Sequence, residues 1–286
     1  MGYGSYCSIA DVKGVLGITA TADDVVIRRI AEAASRSVDS YTNRYFYTQT
    51  ATRYFDGAVR LWLPDLLSIT TLKTDEDDDG SFADETAWET TDYFAYGGGL
   101  EDTLNILPYT RLEINRNGDY SSFASGIRKG VQIVGIWGYG DGISATPYIL
   151  DTTITEPITS TTAATATMAS VTNLSAGNII LIDTEQIYIY SISSLAVTVE
   201  RGVNGTAAAT HSDNAPIYIY QYPSDIRQAC IDLSVALYQS RAKQGLQSER
   251  LGDYSWVALG ASTGKTTALA NRILDNSIAR YKRLRF

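Results

Sequence analysis

The sequence predicts an α+β protein: a helical body of two long packed helices plus short helices, with antiparallel β elements and an inserted all-β domain. Three observations lead there. Segments 24–43 and 223–245, far apart in the chain, repeat apolar residues at helical spacing. From 51 to 140 the chain breaks into short alternating runs separated by Gly, Pro, Asp and Asn. Residues 151–222 hold Thr-, Ser- and Ile-rich runs without a lysine. The expected divisions are 1–150 for the first part of the body, 151–222 for the inserted β domain, 223–249 for a returning helix, and 250–286 for a tail with a terminal helix.

Ser8, with Asp11 three positions on and Val12, Val15 and Leu16 behind it, predicts a capped short helix ending at Gly17. Thr21 and Asp24 repeat the device. Val26, Ile30, Ala33, Ala34, Val38 and Tyr41 then form the stripe of a long helix ending near Asn43, with Arg28, Arg29, Glu32, Arg36 and Asp39 mostly on other faces. TRYFDG, VRLWLP, SITTLKT, DYFAY, RLEINR and VQIVGIWGYG predict antiparallel strands. In the inserted domain NIILID, EQIYIYSIS, AVTVERGVNG and APIYIYQY predict four short strands, turning at Asp183-Thr184, Ser193-Ser194 and near Asn204-Gly205. Pro223, Ser224 and Asp225 open the returning helix, whose stripe is Ile226, Ala229, Cys230, Leu233, Ala236 and Leu237. Its likeness to the first long helix predicts that the two pack together.

With 286 residues, 44% of them apolar, the chain can build real cores. No apolar run approaches the ~18 residues of a membrane span, and MGYGSYCSIADVK lacks the basic-then-apolar build of a secretory signal. A soluble protein that starts in a cytoplasm is expected. Cys7 and Cys230 are expected as buried free thiols, neither a disulfide nor a metal pair, and a lone His211 assembles no zinc site. Twenty tyrosines against six phenylalanines suit surfaces that become interfaces. Charge is divided: residues 1–221 hold 13 basic against 27 acidic residues, net −14, and residues 222–286 hold 10 against 5, net +5. An acidic body with a basic tail fits an interaction tail as well as a solvated helix end.

LGASTGKTTALANRIL, Leu259 to Leu274, comes close to a phosphate-binding loop. That loop needs four residues between its glycines, so that successive N–H groups wrap the phosphates before Lys reaches the outer ones. Gly260 and Gly264 have three between them, and only 22 residues follow Gly264, too few for a later magnesium-binding strand. A turn capping a terminal helix is expected. Asp75, Asp77, Asp79 and Gly80 open like a D-x-D-x-D-G calcium loop, but the twelfth position is Thr86, Glu85 is one early, and the flanks read as strands. An acidic hairpin tip is expected there, with weak calcium binding left open. His211, in THSDNAP, is expected as a solvated loop residue and not as a catalytic base. No framework gathers titratable groups into a shared cleft. The chain is therefore expected to be no enzyme, with no catalytic, cofactor-binding or metal site and no cofactor. The basic and aromatic cluster is the last turn, Arg280, Tyr281, Lys282, Arg283, Leu284, Arg285 and Phe286. Leu284 and Phe286 add apolar contacts, which suits docking onto an acidic protein groove at least as well as phosphate contact, with a solvated helix end as the plain alternative.

SIADVKGVLGI, then DDVVIRRIAEAASRSVDSYTNRYF, strands ending in VGIWGYG, PSDIRQACIDLSVALYQSR and LGDYS together resemble the head-tail connector (adaptor, neck) proteins of tailed bacteriophages, over most of residues 8–140 and 222–255. EQIYIYSISSLAVTVERGVNGTAAATHSDNAPIYIY is similar to a small β-module of virion proteins, and the chain departs from the plain connector pattern by splitting its core near residue 150 to host it. The resemblance implies a structural virion protein that forms a ring, usually a homo-dodecamer, beneath the portal of the filled capsid. Its implied partners are the portal protein and the next neck or tail-completion protein, with transient non-specific contact to passing DNA and no membrane. It implies the virion neck as location, the host cytoplasm before assembly, and a portal-binding role for Arg280 to Phe286. Carboxylates lining such a channel would repel phosphates and leave DNA free to slide. The competing expectation is a virion β-module protein that binds a receptor or glycan through its Thr-rich β domain and tyrosines.

Overall fold

The computed structural model describes residues 4–97, 103–241, 248–251, 254–257 and 265–283. Two compact units emerge, 1–43 together with 148–286, and 44–147. The cuts fall at Asn43 and Pro147. Among the described residues the class is α+β, with four α-helices and two six-stranded antiparallel sheets.

Unit 44–147 is built on one antiparallel sheet of β1 (Gln49–Phe55), β2 (Arg60–Thr74), β3 (Tyr93–Gly97), β4 (Thr103–Leu104), β5 (Tyr109–Ile114) and β6 (Val131–Trp137), in the order β1-β6-β2-β5-β3-β4. VRLWLP and SITTLKT, expected as two strands, run together as β2. Pro64 lacks an N–H for a ladder, and it falls where β2 changes partner: the pairing with β5 skips from Trp62 to Leu66, and the pairing with β6 begins at Leu66. Val131, Ile133 and Trp137 alternate inward from β6 and join Leu61, Leu63, Leu66, Leu72, Leu112 and Phe123 in the core. Gly135 shares that inward face because a Cβ there would stand 2.1 Å from the Ser68 carbonyl oxygen, beside a bulge of β2.

The other unit carries α1 (Ile9–Leu16), α2 (Asp24–Thr42), α3 (Ser224–Ser240), α4 (Lys265–Ile278) and a second sheet. That sheet consists of β7 (Tyr148–Thr153), β8 (Thr165–Thr167), β9 (Ile179–Ile182), β10 (Glu185–Ser193), β11 (Ala196–Glu200) and β12 (Pro216–Tyr220), in the order β7-β12-β9-β10-β11-β8. A hairpin of β13 (Ser248–Leu251) and β14 (Tyr254–Val257) follows α3 in sequence. The four expected strands are present with two edge strands more: β7 straddles the expected boundary, and β8 is only three residues long. Asp183, Ser194 and Asn204 turn the chain at positive φ of 53°, 57° and 54°. Ile154, Met168, Ile180, Ile182, Ile187, Ile189, Val197 and Ile217 are fully buried in this sheet's own core, and each such side chain contributes about 1.5–3 kcal/mol.

At the start of α1 the expected capping box forms, with Asp11 N donating to Ser8 Oγ at 3.1 Å and Ser8 N to Asp11 Oδ2 at 3.0 Å. Gly17 ends the helix at φ 67°. Thr21 and Asp24 form no such box. Asp24 pairs instead with Lys13 Nζ at 2.7 Å, and Asp23 accepts from Tyr238 Oη at 2.6 Å and Arg241 Nη2 at 3.2 Å. Cationic and phenolic donors outbid the backbone N–H for these carboxylates.

The buried face of α2 is turned one residue from the expected stripe: Ile27, Ala31, Ala34, Ser35, Val38, Asp39 and Thr42 are buried, while Val26 and Ala33 face solvent. Polar groups take inner positions because each finds a partner. Ser35 Oγ donates to Ala31 O at 2.7 Å and Thr42 Oγ1 to Val38 O at 2.8 Å, while Asp39 accepts the Tyr6 hydroxyl and pairs with Arg36 at 3.1 Å. α3 lies along α2 and buries Ile226, Ala229, Cys230, Leu233 and Ser234; Leu237, expected in its stripe, is exposed.

Residues 4–8 form a buried strap against α2, α3 and the second sheet. Tyr6 N donates to Ser35 Oγ at 2.8 Å, Ser5 Oγ to Gly177 O at 3.1 Å, and Ile9 N to Ala176 O at 2.8 Å. Gly177 sits at φ +96°, and a Cβ there would lie 3.0 Å from Ser8 Cα.

Burial raises the Asp39 pKa to about 6, and the opposing pull of Arg36 and Tyr6 only limits the rise. The folded value exceeds the unfolded one, so the protonated carboxyl is favoured in the fold. Its stabilising contribution is complete below the unfolded value near 4 and is lost as pH rises through about 6, a swing of about 3 kcal/mol. Urea unfolding of the Asp39→Asn variant and the wild type at pH 4 and pH 7 is expected to show their stability difference moving in the variant's favour by about 2–3 kcal/mol at the higher pH. A difference independent of pH refutes the assignment.

Candidate docking surface

The basic end of the chain is held by named contacts. After α4 comes a 3-10 turn, Ala279–Tyr281, and Leu274, Ile278 and Tyr281 are buried in the unit where α4 lies against α3. Tyr281 Oη donates to Asp225 Oδ1 at 2.8 Å, and the Arg280 guanidinium pairs with the other oxygen of the same carboxylate. Arg283 N donates to Thr42 O at 2.8 Å, Asn43 Nδ2 to Arg283 O at 3.1 Å, and Lys282 Nζ stands 4.9 Å from the centre of the Tyr41 ring. Arg280, Tyr281, Lys282 and Arg283 are thereby brought to the C-terminal end of α2 and the N-terminal end of α3. Leu284, Arg285 and Phe286 lie outside the described residues.

Leu274, Ile278 and Tyr281, at spacings of four and three, form a stripe that the body covers. Tyr281 points inward and positions its neighbours. Arg280, with 63% of its side chain exposed, and exposed Lys282 present charge to solvent.

His211 also departs from its expected place. It is buried at 3% exposure, with Nδ1 2.7 Å from Asp183 Oδ2 and Nε2 2.9 Å from Glu185 Oε2. Glu185, fully buried, accepts Arg201 Nε at 2.7 Å and Nη2 at 2.6 Å, Gly202 N at 2.9 Å and Ala209 N at 2.9 Å. Burial works against its charge, but Arg201, the Ala209 amide and His211 together hold its carboxyl below the usual range. The segment from Arg201 to His211 is thus clasped to the β9–β10 turn by a buried ionic knot. The signal lay in a His, an Arg and a Glu recurring in an otherwise apolar and Thr-rich sheet.

In the acidic loop after β2, Asp75, Asp77 and Asp79 bring one carboxylate oxygen each within 4.8 Å of one another. Asp75 is buried and accepts from Asp79 N at 3.2 Å and Gly80 N at 3.0 Å, Asp79 accepts from Ser81 N at 2.7 Å, and Glu85 accepts from Glu76 N at 2.8 Å. These carboxylates cap their own backbone. The flanking elements are strands, β2 and β3. In the phosphate-loop look-alike, 259–264 lie outside the described residues; α4 opens at Lys265, and the strand before it, β14, pairs antiparallel with β13.

Residues 6–72 match the family model described as phage gp6-like head-tail connector protein. Over that stretch the family is the phage head-tail connectors. The match runs from Tyr6 in the strap through α1 and α2 and ends within β2, so it takes in the helix whose end receives Arg283. No curated protein and no solved structure matches the chain. Among the described residues, no helix is long and apolar enough to cross a membrane.

The ionic knot yields a test of the second sheet. Replacing Arg201 by Met strands the Glu185 carboxylate in the interior and is expected to cost about 3–5 kcal/mol in urea unfolding. Adding Glu185→Gln removes the stranded charge and recovers part of that loss.

Proposed function

We propose that this protein is a structural head-tail connector: a subunit of a ring, dodecameric on the family's pattern, that sits under the portal in the virion neck, joins capsid to tail and lets DNA pass without catalysing a reaction. The observation that carries this reading is the family match over 6–72, which falls on the strap, α1, α2, β1 and most of β2. On this reading α2 and α3 are the long packed helices of the subunit body. The sheet of 148–220 is an inserted β-module hosted by that body, and its partner is a separate matter from ring formation. The protein assembles from the host cytoplasm, takes the portal on one side and the next neck or tail-completion protein on the other, and meets passing DNA only transiently.

Portal contact falls to the basic end, Arg280 to Phe286. The division of charge supports it, net +5 after residue 221 against net −14 before. Tyr281 and the Arg283–Thr42 hydrogen bond fix the start of that segment, so less ordering entropy is lost when a partner takes the exposed cations.

Mixing the protein with its portal and examining the product by light scattering and negative-stain electron microscopy is expected to give a ring stacked on the portal ring. The double variant Arg280→Gln/Lys282→Glu is expected to weaken portal affinity about tenfold or more, with binding that weakens as salt rises in the wild type. Its unfolding midpoint should stay close to wild type, which separates docking from folding. No complex with the portal, or affinity unmoved by both charge reversal and salt, overturns the reading.

A further inference from the structure

Two cysteines 223 residues apart in sequence meet in the buried seam of the helical unit, with Cys7 Sγ 2.9 Å from Cys230 Sγ. Both are free thiols and both are buried. Cys7 belongs to the strap, and Cys230 stands on the face of α3 turned toward α2, with Ser35 Oγ 3.3 Å from its sulfur. Burial of both is what the sequence predicts; their adjacency comes from the packing of the strap on α3. A cavity of about 200 Å³ lies against Cys7, lined also by Ser5, Tyr6, Ser8, Asp11 and Arg227, and it offers room for a small neutral oxidant.

We propose that Cys7 and Cys230 are an oxidisable pair whose disulfide, formed by hydrogen peroxide or another small peroxide, fastens the strap covalently to α3. The sulfurs need to close by about 0.9 Å to reach the bond length of roughly 2.05 Å. The thiolate of one cysteine attacks one peroxide oxygen; the O–O bond breaks, the leaving hydroxide takes the other cysteine's proton as water, and the first becomes a sulfenic acid. The second thiolate then attacks that sulfur and the S–O bond breaks, releasing hydroxide, which leaves as a second water with the proton the first cysteine gave up. Two thiols lose two electrons and two protons, and one peroxide is reduced to two waters.

Burial opposes a Cys230 thiolate, but the Cys7 thiol and the polar surroundings that Ser35 and Ser234 provide outweigh it and lower the pKa, whereas the contact with Cys230, then burial, raises that of Cys7. The bond closes a loop spanning most of the chain, the case in which a cross-link restricts the unfolded state most. Its timing rests on the neck reading: a virion leaves a reducing cytoplasm for oxidising surroundings, where the strap is sealed.

The full-length protein, purified under reductant and then freed of it, is treated with hydrogen peroxide in its native state. It is then analysed by intact mass, non-reducing peptide mapping and thermal unfolding. The expected result is loss of two hydrogens per chain, a peptide pair joining positions 7 and 230, and a midpoint raised by roughly 10 °C that reverts with dithiothreitol. Cys7→Ser should show none of these changes. Addition of oxygen without cross-linking, two thiols still titratable after the treated protein is unfolded, or links only between chains overturns the proposal. A linked product with an unchanged midpoint overturns its stabilising role. Portal binding enters none of these readouts, so the pair and the neck reading stand or fall separately.

Discussion

A chain segment shut away from water needs partners for its backbone polar groups, and residues 4–8 draw several of theirs from side chains in distant parts of the sequence. Ser35 on α2 receives the Tyr6 amide; Gly4 O accepts Arg36 Nη2 at 3.2 Å, and Gly4 N donates to Asn204 Oδ1 at 3.4 Å. Asn204 in turn donates to Gln186 Oε1 at 2.8 Å in β10. One short stretch thus ties α2 to the turn after β11. That is why the helices and the second sheet form one unit although the sheet has an apolar core of its own.

Much of the fold was legible. The capping box at Ser8, the αL residues at Gly17 and Asn43, and the strands of VQIVGIWGYG and EQIYIYSIS follow from side-chain chemistry within a few residues of each site. What escaped depends on partners remote in sequence. The stripe on α2 was misplaced by one residue because Ser35, Asp39 and Thr42 are inward only by virtue of Tyr6, Arg36 and main-chain acceptors, which no hydropathy pattern registers. His211 was taken for a solvated residue because its neighbours in sequence are polar; the groups that bury it, Asp183 and Glu185, lie on a different turn. Of the candidate docking residues the sequence located the cluster but not its anchorage, since Asp225 and Thr42 belong to other helices.

Carboxylates in this protein divide into two populations with different work. Glu185 and Asp65 are buried against guanidinium groups, Arg201 and Arg44, where removing either partner would leave a charge in a medium that solvates it poorly. Asp77 and Asp79 are exposed and turn a loop by capping its amides. The net acidity of the chain therefore overstates how much negative charge is free to act on a partner. The same holds for the basic end, where Arg280 already faces Asp225.

Arg283 gives its amide to the last turn of α2, and the strap gives its own to the middle of that helix. Tension applied at the C-terminal end would reach α2 through the Arg283 and Asn43 bonds and α3 through Asp225, and the strap would hand it on to the second sheet at Gly177 and Asn204. Load at that end is thus divided between α2 and α3 before any of it arrives at the ladder of β7 to β12.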